Sequence, residues 1–211
     1  DFDSNLDGHF TELDSFWDSG NGWLPIGSAA TPFTAKLEGN GFQIRNLVVK
    51  RNVTGAALIA FSKGSQIQNL IFSGLLTSIS GSSKTAVLVG EADGGSTFKG
   101  IVVSGRVKGY AYTGGMIGRL INGGQISASL STAQVIGDDD IGGLVGVVAG
   151  NPINTIEATM AFGFVHQPRD SYGLIGSKAN SSQVLSSYWA TDLAMALYSS
   201  GNNASVGYTG L

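Results

Sequence analysis

A short pattern returns five times in this chain: a small residue, then Leu or Met, then Ile or Val, then Gly or Ala. It reads ALIA at 57–60, VLVG at 87–90, GMIG at 115–118, GLVG at 143–146 and GLIG at 173–176. The Leu/Met positions lie 30, 28, 28 and 30 residues apart. Between them runs a second pattern, aligned on Ile67, Phe98, Ile126, Ile156 and Val184 at spacings of 31, 28, 30 and 28. FQIRNLVVK at 42–50 gives an earlier copy aligned on Ile44. A third, weaker signal is a Gly-x-Val/Leu step ending at Leu76, Val107, Val135 and Val165. A period of about 29 residues held over four intervals is the mark of stacked structural units that bury a shared core.

Within each unit the segments are short, β-branched and alternating, which predicts strands. IQNLIF is expected to put Ile67, Asn69 and Ile71 on one face, and Gln68, Leu70 and Phe72 on the other. Three strands per unit predict an all-β fold, a right-handed parallel β-helix (β-solenoid) of about five to six coils. A β-sandwich of antiparallel hairpins is the alternative, but it leaves the period unexplained. The Gly after each Leu-Ile pair is expected to turn with positive φ or to let the neighbouring coil approach closely. Residues 1–32, with Phe16, Trp17 and Trp23, read as an N-terminal cap. Residues 33–190 read as the repeats, and 191–211 as a C-terminal wrap or linker.

Composition supports this class. Of 211 residues, 32 are Gly, none is Cys and only 13% are charged. Lys and Arg are scattered singly and the formal net charge is −3. No basic face for nucleic acid or anionic lipid is therefore expected. No apolar run reaches the ~20 residues that span a bilayer, so membrane insertion is not expected. The opening residues do not read as a signal peptide or an initiator Met, and a monomeric fragment of a longer or processed chain is expected.

Against this low charge, the opening DFDSNLDGHFTELD stands out. Read from Asp3, it gives D-x-N-x-D-G-x5-D, the oxygen-ligand spacing of a calcium loop with Gly8 at the sharp turn. Asp3, Asn5, Asp7 and Asp14 are the expected side-chain ligands. His9 would give its backbone carbonyl, and Thr11 would bind directly or through water. The other register, from Asp1 to Glu12, puts Leu6 where Gly is needed. The loop also resembles that of dockerin-type modules. Structural Ca2+ at extracellular concentration is the expected cofactor.

The phrases WLPIG, PFTAKLEGNGFQIRNLVV, IGGLVG and SSYWATD resemble those of the GLUG-repeat family of bacterial surface and secreted proteins, which includes adhesin-like chains and some IgA-protease-type peptidases. The likeness runs from about residue 1 to 195. ALIAF and AVLVGE, lacking the paired Gly, depart from its pattern. The resemblance implies a β-helical fold in an extracellular or cell-surface module, and it carries over no catalytic residue.

Candidate ligand contacts are Tyr110 and Tyr112 in KGYAYTGG, and the acidic run Asp138, Asp139 and Asp140, which reads as a second cation site or a polar ligand site. Exposed rings stack on sugar faces, and Asn, Asp and Ser rims hydrogen-bond hydroxyls. The same residues also suit a coil edge and an exposed turn. Tyr198 and Tyr208 are weaker candidates of the same kind. Glu91 and Asp93 read as turn residues without a partner, and the two histidines assemble no nucleophilic triad. The expected function is a non-enzymatic module that binds a surface ligand such as a glycan, or that spaces neighbouring domains of a larger chain. The alternatives are a polysaccharide-degrading β-helix enzyme and, lower, an ice-binding face.

Overall fold

The computed structural model describes residues 1–166, 172–179 and 182–190, with the strands Tyr198–Ser200 and Tyr208–Gly210. Its strand ladders are parallel, and nearly all keep one register from coil to coil, so the chain is a β-solenoid. The first ladder stacks Lys36–Glu38, Gln66–Gln68, Thr97–Lys99, Gln125–Ser127, Thr155–Glu157 and Gln183–Leu185. Its register pairs Ile67 with Phe98, then Ile126, Ile156 and Val184, as the repeat spacing predicts. All five are buried. A second ladder runs from Gln43–Arg45 to Ser187–Trp189, with Tyr208–Gly210 added beyond it. The third stacks Val48–Lys50, Ser78–Ser80, Arg106–Lys108, Gln134–Ile136 and Val165–His166.

The fourth wall holds the GLVG motifs. Here Ser83–Thr85, Ala111–Gly114 and Asp139–Gly142 stack beside Ile59–Lys63, Val89–Asp93, Ile117–Ile121, Val145–Ala149 and Tyr172–Lys178. The last Gly of each motif forms a column: Gly90, Gly118, Gly146 and Gly176. None has positive φ. The close-approach alternative is the one realised. A Cβ at Gly118 would lie 2.6 Å from the Gly90 carbonyl oxygen and from the Lys84 carbonyl carbon. A Cβ at Gly146 would lie 2.6 Å from the Tyr112 carbonyl carbon. The residues pressed onto this column, Lys84, Tyr112 and Asp140, are themselves left-handed, with φ of 53, 53 and 51. Only glycine lets one coil's bend seat against the next.

The expected three strands per unit become five in each full coil, such as 66–68, 71–73, 78–80, 83–85 and 89–93, and three residue-level expectations shift as well. Ile71 does not share the inward face of Ile67; Leu70 and Phe72 are buried instead. Asn69, at φ 55, turns the corner between the two strands and resets the alternation. Ile44 pairs with Phe72, not with Ile67, whose true partner is Leu37. The Asn of FQIRNL, Asn46, turns a later corner of its coil than the Asn of SQIQNL does. Leu76 is likewise not the stacking partner of Val107; Ile79 is. The segment 74–77 loops outward first, leaving Leu75 fully exposed.

Residues 21–35 complete the first coil. The Trp23 amide donates to the Val48 carbonyl at 2.8 Å, Ile26 to Leu58 at 3.0 Å and Phe33 to Phe61 at 2.9 Å. The Trp23 indole donates to the Leu58 carbonyl at 2.9 Å. Phe2 is buried against Phe16 and Trp23, so the cap seals the end of the core with aromatic rings. Of the expected C-terminal wrap, Tyr198–Ser200 pairs with Tyr172–Lys178 and extends the stack; residues 191–197, 201–207 and 211 lie outside the described residues. No helix among the described residues is long and apolar enough to cross a membrane.

Candidate functional site

The amino-terminal loop winds about two buried carboxylates. Asp3 accepts the amides of Asp7 at 3.1 Å and Gly8 at 3.0 Å. Asn5 accepts the Asp7 amide at 3.2 Å and donates to the Asp7 carboxylate at 3.0 Å. Asp7 accepts the His9 amide at 2.8 Å. Asp14 closes the loop by accepting the amides of Ser4 at 2.7 Å and Thr11 at 2.8 Å. The Thr11 hydroxyl accepts the Leu13 amide at 3.4 Å. Gly8 sits at φ +82 with open space around its missing Cβ, so its role is conformational. The six residues expected as ligands thus share one wound segment.

Asp3 and Asp14 are only 6% and 7% exposed, and neither has an ion-pair partner among the described residues. The Thr11 amide holds the Asp14 carboxyl below the usual carboxylate range, against the opposing pull of burial. Among the described residues no three His, Cys, Asp or Glu side chains converge at metal-holding distance. The donor set is nevertheless all oxygen, which suits a hard cation such as calcium in chemistry and spacing. Asp1 ties the loop to the first coil, accepting the Asn46 side-chain amide at 2.8 Å.

The other candidates separate into two places. Tyr110, 65% exposed, and Asp138 line one groove on the third ladder's outer face. Tyr112 and Asp140 stack in the left-handed column of the fourth wall, where the Arg119 guanidinium lies 6.0 Å from the Tyr112 ring centroid. Burial, and then the neighbouring Asp139, push the Asp140 carboxyl up. Asp139 and Asp140 begin a strand; only Asp138 sits in the bend before it.

Glu91 and Asp93 are strand residues rather than turn residues, and Glu91 has partners. Its carboxylate receives Lys84 Nζ at 2.7 Å from the preceding strand of its own coil and Arg119 Nη1 at 3.0 Å from the next coil. These contacts hold the wall together, with Lys84 also 5.2 Å from the Phe61 ring centroid.

One grouping was missed from the sequence. The basic residues scattered along the chain do gather: Lys50 and Lys108 sit at the same register position of the third ladder, separated by Ser80, and Arg106 flanks them. All three are exposed, with no acid within ion-pair distance among the described residues. Aligning Ile79 with Val107 would have revealed the pairing. Aligning Leu76 with Val107 hides it.

In comparison with known proteins, the chain is 33% identical over 155 residues to Halomucin of Haloquadratum walsbyi (strain DSM 16790 / HBSQ001). The match takes in 69% of this chain and spans 2% of the length of that relative. No family model matches the chain. No solved structure matches it.

Proposed function

We propose that this chain is a non-enzymatic, extracellular β-solenoid module of a large surface protein, in the manner of GLUG-repeat adhesins, and that it presents a ligand-binding face for glycan on a rigid rod. The observation that carries the reading is the stack itself. Four continuous parallel walls enclose one apolar core, and side chains on the outer faces hold fixed spacings of one coil, roughly 4.8 Å. The likeness to Halomucin supports a surface setting, since the matched stretch is a small part of a very long chain.

Calcium orders the entrance to this rod in the same proposal. Asp3, Asn5, Asp7 and Asp14 would hold it with side-chain oxygens, His9 with its carbonyl, and Thr11 directly or through water. When bound, the ion would supply positive charge to two carboxylates that otherwise meet backbone amides and the Ser4 hydroxyl. The test is a thermal melt of wild type and Asp7→Ala, in ~2 mM calcium and in EDTA. An extracellular-type site with Kd ~10⁻⁴ M would stabilise by about 1.8 kcal/mol, a rise of roughly 3–7 °C for a chain of this size. The rise should vanish in Asp7→Ala. Identical melts of wild type in both buffers would reject calcium and leave the loop as a hydrogen-bonded cap.

A further inference from the structure

We infer that the outer face of the third ladder binds a linear anionic polysaccharide, one bearing carboxylates or sulfates on its sugars. The inference deepens the glycan-binding reading above and rests on it. Three hollows of about 520, 530 and 610 Å³ open on this face. They are not independent. Lys50 lines both the first and the second, and Arg106 lines both the first and the third. Together they make one trough with a cation at each junction, and Lys108 also lines the second hollow. The trough's shape suits an extended chain rather than a compact ligand.

The chemistry of the lining fits such a chain. The Lys50 and Lys108 positions stand two strands apart, roughly 9.6 Å, close to the length of a disaccharide. Carboxylates on alternate sugars would meet both. Ser78, Ser80 and Asn52 offer neutral hydrogen-bonding groups between the charges. Tyr110 stands 65% exposed at one end, with a ring face free for a sugar. Arg51 also borders the trough, but its guanidinium is committed to Asp18 and to the carbonyls of Trp23 and Gly22. Asp138 is the one carboxylate in the linings, and it opposes an anion. A duplex nucleic acid needs a broad basic field. This face offers only a local cluster of three cations, Lys50 and Lys108 in one column with Arg106 beside them, on a chain of net charge −3.

The test is biolayer interferometry of the full chain against immobilised hyaluronate, neutral dextran and a single-stranded DNA homopolymer. Wild type should bind hyaluronate in preference to the other two, and more weakly as NaCl rises from about 0.05 to about 0.5 M. Lys50→Gln/Lys108→Gln should lose about tenfold or more in affinity, and Asp138→Asn should gain severalfold, each with an unchanged melting temperature. Equal binding of the double variant and wild type overturns the trough as the site. Binding to dextran that none of these substitutions alters overturns the anionic inference while glycan binding stands. Equal binding to the DNA shows a general polyanion surface and overturns the polysaccharide. Binding to neither polysaccharide overturns the inference and the glycan reading together.

Discussion

The amino-terminal loop and the coils are built on opposite principles. In residues 3–14 the hydrogen bonds run from backbone amides to side-chain carboxylates and amides a few residues away. In the coils they run from backbone to backbone between positions about 28 to 31 residues apart, and the side chains are free to fill the core. The loop is specified by polar residue type at each position. The coils are specified by period and by volume. A substitution should therefore act in the loop through charge and in the coils through space.

The largest expected effect is on the coils. Phe98 is buried in the first ladder between Ile67 and Ile126, so Phe98→Ala should cost about 3–5 kcal/mol, measured by denaturant unfolding and indifferent to calcium. Next comes Gly146→Ala. Its added methyl meets backbone of the preceding coil, at Gly118 and at Tyr112–Thr113, rather than a side chain that can swing away, and the expected cost is about 1–3 kcal/mol or more. An effect as small as that of a surface substitution would show that the coils can slide apart locally.

Lys178 breaks the contrast from within the coils. It stacks on Val148, buried, with its ammonium donating to the Ser182 carbonyl at 3.2 Å, and burial lowers its pKa. Folding shifts the group toward its neutral form. Its charge therefore opposes folding below the folded pKa, and the penalty fades as pH rises toward the ordinary lysine value of about 10.4. Stability should climb over the alkaline range in wild type, and Lys178→Met should flatten that limb. The smallest effect concerns Glu38, which the Asn40 amide first, and then the Asn69 side chain, hold below the usual carboxylate range. Its contribution is present above the unfolded value of about 4.3 and fades as pH falls through the folded one. Glu38→Gln should slightly soften the acid limb of a pH-resolved melt.

Most of the fold was legible because a parallel stack writes its register into the sequence as a period. Ile67, Phe98, Ile126, Ile156 and Val184 could be aligned by eye, and they are stacked as aligned. What was not legible is where each coil turns. Asn69 takes left-handed φ and flips the alternation, and Leu75 and Leu76 swing out in a loop that other coils lack. Neither event leaves a signal in hydrophobic pattern alone. The basic face was hidden for a related reason. Lys50 and Lys108 are remote in the chain and become neighbours only when two intervening turns are counted correctly. The amino-terminal spacing pointed to one wound loop, and its polar residues do share one winding, because they bond to backbone amides a few residues away.

The strand-like pairing of residues 21–35 with the first coil has a consequence for assembly. Parallel ladders end in rows of unpaired amides and carbonyls that can template another chain. Here Trp23, Ile26 and Phe33 occupy that row along Val48–Lys50 and Ile59–Lys63, and Phe2 donates to the Arg45 carbonyl. The segment therefore acts as an end-stop. A chain stripped of it would carry a bare, in-register growing end, and end-to-end fibres would be the natural product.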